Sequence, residues 1–505
     1  MGNRRRQQWN GLAVDLGASG GTVLSAQYDG ERLTLDEIHT FRNEPVKVHT
    51  TLYWDILRLF HEIKRGIGQA VIQAKVDGRA ITTLGIDSWA VDYGLLDRSG
   101  HLLGNPVHYR NDVHAKAMKA LLEQIPRRHI FQKTGIQFMP INTIFQLKAL
   151  QEMGHPHLEQ AHTLLMIPDL LHYFLTGEKV TEMTNASTTQ LFAPTKGTWS
   201  WELIDQLGLP RDIFTPIVDT DTVLGRVLPS VSDELGGLNG DVIAVATHDT
   251  GSAVAAIPAG SDKFAYLSCG TWSLLGTEVT EPVISDQALQ LNFTNEGGVN
   301  GTFRLLKNIM GLWLLQEVKR VWEQEGHVYS WQELTDLTSA ADPFVSFVDP
   351  DAPEFLTPGD MPGRICAYCR KTGQPIPETR GALLRCVTES LALKYRLVLE
   401  LLEELTGERL SVLHMVGGGI RNELLCQWTA NACGRPVIAG PIEASSLGNI
   451  LVQLMASGEV ASLTEGRALI ARSVRLKTYE PQERQRWDDA YGTFQRLTQR
   501  QSFFA

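Results

Sequence analysis

Hydrophobic and polar residues recur along the first part of the chain in patterns that predict strands and helices. Apolar residues run from Gly11 to Tyr28 and are interrupted by small residues, which predicts a β-hairpin built around Gly20-Gly21. Alternation from Arg32 to Phe41 predicts a third strand, a helical pattern follows over 53–74, and Ile81–Ile86 reads as a short buried strand. This order of elements predicts an α/β domain.

The second half of the chain repeats that order. Phe264–Gly276 is again strand, small-residue turn and strand, and we expect Gln290–Phe293 and Thr302–Leu306 to continue the meander. Apolar residues step by three or four from Ala382 to Leu405, which predicts a long helix that Gly407 ends. The repetition predicts two related domains with a cleft between them, although any α/β protein shows strands, glycine turns and helices.

Domain boundaries follow from the repeated order. We expect a flexible basic tail over 1–10, domains over 11–250 and 251–480, and a helical tail over 481–505. Small residues dominate Thr250–Ile257, where we expect the hinge between the domains. Residues Asp342–Pro377 are rich in Pro and Asp, which predicts a long surface excursion.

Composition narrows the class of protein. The 505 residues are 43% hydrophobic and 20% charged, which is typical of a globular protein, and the net charge of -11 argues against a nucleic-acid binder. Arg4, Arg5 and Arg6 precede no apolar run, and no stretch is apolar enough for a membrane span. We therefore expect a cytoplasmic protein without a nucleic-acid or membrane partner.

The six cysteines are too few for a disulfide framework in so long a chain. Cys366 and Cys369 form a CxxC pair, but no second pair follows at zinc spacing. We expect reduced thiols, and the sequence leaves open whether Cys369 and Cys386 pair.

The first hairpin is a candidate phosphate site. Its small residues, Ala18, Ser19, Gly20, Gly21 and Thr22, leave backbone N–H groups uncovered, and such a concavity binds phosphate oxygens. Asp15, at the end of the preceding strand, can hold Mg²⁺ through water. An ordinary glycine hairpin is the alternative interpretation.

Two segments of the second half have similar chemistry. Ser268–Ser273 is a second hairpin of the same kind, and two such hairpins facing each other would clamp a polyphosphate. The apolar strand Val412–Val416 runs into Gly417-Gly418-Gly419, where a flat ring or ribose can lie against the backbone. A helix C-cap or a loop hinge is the alternative for the three glycines.

His248-Asp249-Thr250 is the candidate for proton transfer. It follows the apolar strand Val242–Ala246 and precedes a segment of small residues, so Asp249 is expected at a strand end, just before a helix. A carboxylate there can accept a proton from a substrate hydroxyl that attacks phosphorus. The alternative is that Asp249 or Thr250 is only an N-cap.

These four segments, in this order, resemble the FGGY carbohydrate kinases of the ribonuclease-H-like superfamily. Further segments, within a match from about Gly11 to Leu476, are similar to the branch of that family that acts on L-rhamnulose: Gly85–Asp92, Gly135–Phe138, Asn142-Thr143, Met166–Asp169, Thr184–Gln190, Thr294–Gly298, Leu306–Gln316 and Ala439–Asn449. The resemblance implies two ribonuclease-H-like domains and an ATP-dependent sugar kinase with Mg²⁺. We expect a monomer or homodimer, and the sequence does not decide between them.

The resemblance also implies roles for single residues. Asp249 matches the family's proton acceptor, with His248 and Thr250 beside it on the sugar, and Asn308 matches a further sugar contact. Residues 18–22 match the first phosphate hairpin. Thr271, Gln316 and Gly418 match contacts to ATP.

Two departures from the family pattern bear on specificity. The first hairpin ends Ser19-Gly-Gly-Thr22, where this branch usually has Ser-Ser-Gly-Arg, so an expected arginine on the phosphates is missing. Trp89-Ala90-Val-Asp92 replaces the usual Trp-Gly-Val-Asp, which adds a methyl group where the sugar approaches the backbone. Three alternatives remain open: a kinase for another ketose or polyol such as fuculose or xylulose, an actin-like or chaperone-like ATPase, and a sugar-binding regulator without catalysis.

Overall fold

The computed structural model of the chain describes residues 9–260 and 263–502. The tail expected over 1–10 therefore lies mostly outside the described residues. The end of the expected helical tail, after residue 502, lies outside them as well.

The strands, in chain order, are β1 Trp9–Leu16, β2 Gly20–Tyr28, β3 Leu33–Arg42, β4 Val46–Val48, β5 Thr51–Tyr53, β6 Thr83–Ser88, β7 Tyr93–Leu96, β8 Thr163–Met166, β9 Thr181–Glu182, β10 Phe192–Ala193, β11 Thr198–Trp199, β12 Ile217–Val218, β13 Thr222–Arg226, β14 Asp241–Ala244, β15 Ala265–Cys269, β16 Trp272–Val279, β17 Thr294–Gly297, β18 Phe303–Met310, β19 Leu413–Val416, β20 Val437–Ala439 and β21 Lys477–Tyr479.

The α-helices are α1 Ile56–Val76, α2 Val113–Gln124, α3 Arg127–Thr134, α4 Thr143–Glu152, α5 Pro156–Gln160, α6 Ile167–Thr176, α7 Met183–Thr188, α8 Trp201–Gln206, α9 Pro229–Glu234, α10 Asp249–Ala255, α11 Asp286–Gln290, α12 Trp313–Gln324, α13 Trp331–Ala340, α14 Met361–Lys371, α15 Arg380–Thr406, α16 Glu423–Cys433, α17 Ala444–Ala456, α18 Leu463–Ser473 and α19 Arg484–Ser502. Short 3₁₀ turns occupy Arg211–Ile213, Pro353–Phe355 and Gly418–Arg421.

The chain forms two compact units that are interleaved in sequence. Of the described residues, the first unit comprises 9–258, Glu278–Leu305 and Ala444–Val474, and the second comprises the remainder. The repeated order of elements in the sequence had predicted a single boundary after residue 250. In the structure, α10, α17 and α18 all pack in the first unit.

A six-stranded sheet of order β13-β14-β6-β1-β2-β3 lies at the centre of the first unit. The pairs β1–β6 and β6–β14 are parallel, whereas β1–β2 and β2–β3 are antiparallel, as the predicted meander requires. The helix predicted over 53–74 is α1, which buries Leu59, Ile63 and Ile67 and begins after the N-cap Asp55. Because β1, β6 and β14 are parallel, their carboxyl ends lie at one edge of the sheet, where ligands of open α/β sheets bind.

The second unit has a related core. The hairpin β15–β16 is antiparallel, and β15–β19 and β19–β20 are parallel. The long predicted helix is α15, which begins after the N-cap Thr379 and ends at Gly407 in the left-handed conformation with φ 67. Both elements confirm what the apolar spacing predicted.

Two predictions of local structure are wrong. Gln290–Phe293 is not a strand, because the Ser285 hydroxyl caps α11 by accepting a 3.0 Å hydrogen bond from the N–H of Ala288, and β17 begins only afterwards. Asp342–Pro377 is not a surface excursion, since it buries Phe355 and Ile365 and contains α14. Its Asp and Pro residues start that helix: Asp360 is the N-cap, and Pro362 occupies the first turn.

A hinge was expected at Thr250–Ile257, but close helix packing within the first unit explains the small residues of this segment. They form most of α10, which crosses α17 so closely that a Cβ on Gly448 would lie 1.7 Å from the carbonyl oxygen of Ser252. Only small residues permit this approach between two helix backbones.

All six cysteines are free, as expected. Cys369 and Cys386 are close enough in the second unit for each thiol to shift the pKa of the other, lowering that of Cys369 and raising that of Cys386. Among the described residues, no helix has both the length and the apolar character that a membrane span requires.

Candidate functional site

Carboxylates gather at the carboxyl ends of the parallel strands in the first unit. Asp15 on β1 and Asp87 on β6 are register partners, and Ser88 forms a parallel bridge with His248, which directly precedes Asp249. The sheet topology therefore brings Asp15, Asp87 and Asp249 into one neighbourhood. The sequence predicted roles for two of these three carboxylates.

Asp87 was not foreseen as a site residue, although it belongs to a segment that carried the resemblance. Burial raises the pKa of its carboxyl group well above the ordinary value, and the charges of Asp15 and then Asp249 add to that shift. Asn449 on α17 donates a 2.6 Å hydrogen bond to Oδ2, whereas Oδ1 has no hydrogen-bond partner among the described residues.

Asp249 is the first residue of α10, and His248 is the N-cap residue, without a side-chain cap hydrogen bond. The Thr250 hydroxyl donates to Asp249 Oδ1 at 3.0 Å, and 28% of the Asp249 side chain is exposed. Neither Asp249 nor Thr250 is therefore the N-cap residue, which was the alternative interpretation. The carboxylate of Asp249 is therefore partly exposed to solvent.

His248 contacts two residues that the sequence analysis did not identify. Its Nδ1 lies 3.0 Å from Nη2 of Arg304 and 3.3 Å from Oε2 of Glu296, and its Nε2 lies 3.5 Å from Oδ1 of Asp249. A buried carboxylate also fixes the backbone before His248: Glu182 accepts hydrogen bonds from the N–H and hydroxyl of Thr247 at 3.0 and 2.7 Å. No local pattern marks these partners, because they come from distant strands.

The first hairpin is braced by a residue that the sequence analysis missed. Asn43 donates its backbone N–H to the carbonyl of Ser19 at 3.2 Å and its side-chain amide to the carbonyl of Gly17 at 3.0 Å. A Cβ on Gly21 would lie 2.3 Å from the ring of Phe41, so close packing requires that glycine. Ser19, at the tip, is exposed.

Ala90 lies in a strained and firmly held turn. The next residue, Val91, has φ 67, an uncommon conformation for a β-branched side chain. Asp92 fixes the turn by accepting hydrogen bonds from the indoles of Trp54 and Trp89 at 2.5 and 3.1 Å. Burial raises the pKa of Asp92 to about 7. Ala90 itself is half-buried, so its methyl group has a fixed position.

In the second unit, one close backbone approach joins the second hairpin to α12. The N–H groups of Gly311 and Trp313 both donate to the carbonyl of Thr271 at 3.2 Å. A Cβ on Gly311 would lie 2.7 Å from the carbonyl carbon of Trp272. Thr271 therefore lies beside the first turn of α12, which carries Gln316, and near the end of β18, which carries Asn308.

The three glycines after β19 differ in what surrounds them and in backbone conformation. A Cβ on Gly419 would lie 2.4 Å from Sγ of Cys269, and Gly417 has φ 87, so both positions need glycine. A Cβ on Gly418 would meet no atom within 4 Å. The segment is neither a helix C-cap nor a free loop, because a 3₁₀ turn begins at Gly418. The backbone at Gly418 is therefore uncovered beside the second hairpin.

The residues around Asp15 suit a magnesium ion that is held mainly through water. The described residues contain no group of three or more His, Cys, Asp or Glu side chains that could enclose a metal. Asp15 accepts a 3.2 Å hydrogen bond from Ser446, and the neighbouring Asp87 has a buried oxygen without a hydrogen-bond partner in the described structure. Mg²⁺ commonly binds one or two carboxylates and retains several waters.

Comparison with protein families gives two matches that cover most of the chain. The model described as the FGGY family of carbohydrate kinases, N-terminal domain, matches residues 11–256. The model described as the C-terminal domain of the same family matches residues 265–457.

Individual proteins are similar over nearly their full lengths. The chain is 45% identical to a rhamnulokinase of Bacteroides thetaiotaomicron over 95% of this chain and 98% of that protein. It is 44% identical to a rhamnulokinase of Pectobacterium carotovorum over 97% of both.

Among solved structures, a xylulose kinase from Rhodospirillum rubrum superposes with a TM-score of 0.79 at 17% identity, over 98% of this chain and 99% of that chain. A glycerol kinase from Plasmodium falciparum with ADP superposes with a TM-score of 0.76 at 16% identity, over 97% and 98%. At such identities the structural likeness concerns the fold alone.

Proposed function

The chain belongs to the FGGY family of carbohydrate kinases, and from that premise we propose that it transfers the γ-phosphoryl group of ATP to O1 of L-rhamnulose, giving L-rhamnulose 1-phosphate and ADP. The α/β fold with two domains that the sequence predicted is confirmed. The observation that carries the choice of sugar is the 41–45% identity to relatives named rhamnulokinase over almost the whole chain.

Asp249 is the proposed proton acceptor. As the O1 hydroxyl of the sugar attacks the γ-phosphorus, its proton passes to the Asp249 carboxylate, an O–P bond forms, and the bond between the β–γ bridging oxygen and the γ-phosphorus breaks to release ADP. His248 and Thr250 flank Asp249 and orient the sugar, and Asn308 supplies a further sugar contact. The accessible carboxylate beside the buried Thr250 supports this assignment.

The nucleotide contacts are proposed from residues of both hairpins. Ala18, Ser19, Gly20, Gly21 and Thr22 bind phosphate oxygens through the uncovered backbone of the first hairpin. Thr271, Gln316 and Gly418 contact ATP, and the open space at Gly418 supports this role. Asp15 would hold Mg²⁺ through water, and the ion would offset charge on the phosphates.

A second candidate function is phosphorylation of another ketose or polyol. Ala90 favours this second candidate, because its methyl group replaces a hydrogen atom in a turn that Asp92 holds rigidly, and the sugar must fit against that methyl group.

We propose a cytoplasmic enzyme, a monomer or homodimer, with no nucleic-acid or membrane partner.

The experiment is ADP release measured with MgATP and a panel of L-rhamnulose, L-fuculose and D-xylulose. We expect the highest kcat/KM with L-rhamnulose. A higher value with another ketose would select the second candidate, and Ala90→Gly should then shift the preference toward L-rhamnulose. ATP hydrolysis that no sugar stimulates would indicate an ATPase, and sugar binding without turnover would indicate a regulator.

A further inference from the structure

The structure assigns Arg304 and Glu296 as positioning residues for His248: together they hold its imidazole ring neutral, with the proton on Nε2. The inference deepens the proposed function and rests on it, because it concerns the residue beside the proton acceptor. It explains why a fully buried arginine lies at this site.

Arg304 fixes which ring nitrogen carries the proton. Its side chain is fully buried, and its Nε donates a 2.8 Å hydrogen bond to the carbonyl of Gly297, which holds the guanidinium in place. Its Nη2 lies 3.0 Å from Nδ1 of His248. A guanidinium group has donors and no acceptor, so Nδ1 must accept this hydrogen bond and the ring proton must be on Nε2.

The same contact disfavours a doubly charged arrangement. A protonated ring would carry a hydrogen on Nδ1, directed at the N–H of Arg304, and would place two positive charges side by side in a buried region. The neutral ring keeps the Nε2–H directed toward Asp249, whose Oδ1 lies 3.5 Å away. That N–H is thus available to a sugar oxygen next to the hydroxyl that reacts.

Glu296 balances the buried arginine. Its Oε2 lies 3.3 Å from Nη2 of Arg304 and also 3.3 Å from Nδ1 of His248. A buried charge without a partner is costly, so the carboxylate stabilises the guanidinium at this position. In the absence of Arg304, however, Glu296 would draw a proton onto Nδ1 and favour the charged ring.

The charged and titratable groups near His248 come from several elements. Arg304 lies on β18, Glu296 on β17 and Asp249 on α10. Glu182 on β9 binds the backbone and hydroxyl of Thr247, just before the histidine, and Asp87 precedes Ser88, which forms a bridge with His248. Arg304 is the one cation among these groups, and its Nη2 lies 3.0 Å from the ring.

A neutral ring matters for the chemistry of Asp249. An imidazolium group beside a carboxylate stabilises the ionised carboxylate and makes it a weaker base. Keeping the ring neutral preserves the ability of Asp249 to take the sugar proton, and still provides one hydrogen-bond donor for orientation.

The kinetic test compares Arg304→Met with the double variant Arg304→Met/Glu296→Gln. In the single variant Glu296 can draw a proton onto Nδ1 without opposition from the guanidinium, so kcat/KM for L-rhamnulose should fall roughly tenfold more at pH 6 than at pH 8. The double variant removes the carboxylate that charges the ring and should restore the wild-type shape of the pH profile.

Arg467→Met is the matched control. Arg467 is also a largely buried arginine of the first unit. It pairs with Glu278 at 2.6 Å and donates to the carbonyls of Val254 and Ala255, at the opposite end of α10 from Asp249. We expect a similar loss of stability with an unchanged pH profile. If Arg304→Met keeps the wild-type profile, or if the double variant has the same acidic loss as the single one, the positioning role is wrong.

A spectroscopic test needs no turnover and no stable variant of Arg304. In the wild-type protein labelled with ¹⁵N-histidine, with the His248 signal assigned by its loss in His248→Gln, we expect the neutral Nε2–H form from pH 8 to pH 6. A signal from the Nδ1–H form, or a charged ring at pH 6, would overturn the inference. Failure of the proposed function would instead appear as absent turnover with every sugar, and would leave this signal unchanged.

Discussion

Asp87 and Asn449 are joined by a 2.6 Å hydrogen bond although 362 positions separate them in the chain. The amide of Asn449 also donates to the carbonyl of Gly85 at 3.2 Å, and its Oδ1 accepts a hydrogen bond from Gln453 at 2.6 Å. Helix α17 thereby fixes the end of β6, where the candidate site begins.

Replacing Asn449 with Ala should destabilise the protein. It leaves the buried Oδ2 of Asp87 without its donor, and an unsatisfied buried polar group costs about 1–3 kcal/mol. Urea unfolding measures the loss. The control is Gln73→Ala, which removes an exposed amide–carboxylate contact to Asp77 and should change the free energy of unfolding by less than about 0.5 kcal/mol. Equal effects of the two substitutions would contradict the expectation.

His172 should make the stability of the protein sensitive to acid. Its Nε2 accepts a 3.1 Å hydrogen bond from the N–H of Ile86, and burial lowers the pKa of the ring to about 3. The unfolded chain, in which histidine has a pKa near 6.5, binds a proton that the folded protein does not, so stability falls as pH drops below about 6.5.

Between pH 7 and pH 5, the wild-type protein should therefore lose about 2 kcal/mol more stability than His172→Gln, in which an amide oxygen can accept the same hydrogen bond. Urea unfolding at each pH gives the difference and cancels the contribution of other groups. The control is His101→Gln, since 82% of that side chain is exposed, and it should keep the wild-type pH dependence. If His172→Gln lost as much stability between pH 7 and pH 5 as the wild-type protein, the ring of His172 would accept its proton within the folded protein.

Local patterns were sufficient to predict much of this fold. The hairpins and α15 were found because their signals, small residues between apolar runs and apolar steps of three or four, lie within short windows of sequence. The predicted strand end before Asp249 was correct for the same reason. The α14 segment was misread because Asp360 and Pro362 start a helix there, whereas the same residue types also mark loops.

The partners that complete the site could not be predicted in this way. Arg304 is 56 positions from His248, and Asn449 is still farther from Asp87. Which strands and helices meet depends on topology, and hydrophobic spacing contains no information about such a pairing. The family resemblance identified sequence segments that contain or adjoin these residues, but it did not identify the contacts between them.

Gly418 and Gly419 should respond differently to alanine. In Gly419→Ala the new Cβ would lie 2.4 Å from Sγ of Cys269, and overpacking of this kind costs about 1–3 kcal/mol. In Gly418→Ala the new methyl group meets no protein atom within 4 Å, so stability should be unchanged while KM for ATP rises. Unfolding and ATP kinetics, measured on both variants, check the pair. An unchanged KM in Gly418→Ala would remove Gly418 from the nucleotide contacts.

Thr22→Arg tests the first hairpin. If arginine at this position contacts phosphate, the substitution should tighten ATP binding by roughly tenfold or more, because charge-assisted hydrogen bonds contribute about 1.5–3 kcal/mol. Calorimetric titration with ATP measures the affinity. The control is Thr34→Arg, which adds the same charge at an exposed position of β3 and should leave affinity unchanged. Equal or weaker binding in Thr22→Arg would mean that the backbone of this hairpin already satisfies the phosphates.

Asp249→Asn isolates the proton acceptor. The amide keeps the size of the side chain and can still accept the hydrogen bond from the Thr250 hydroxyl, so the structure of α10 should persist. Loss of a general base typically lowers the rate by about 10²–10⁴, and we expect kcat for L-rhamnulose to fall within that range while ATP affinity is retained. Asp286→Asn is the control. The carboxylate of Asp286 is exposed and pairs with Arg128 at the surface, so its replacement should leave kcat unchanged. Near-normal turnover in Asp249→Asn would transfer the role to another group, and the neighbouring Asp87 would be the first to test.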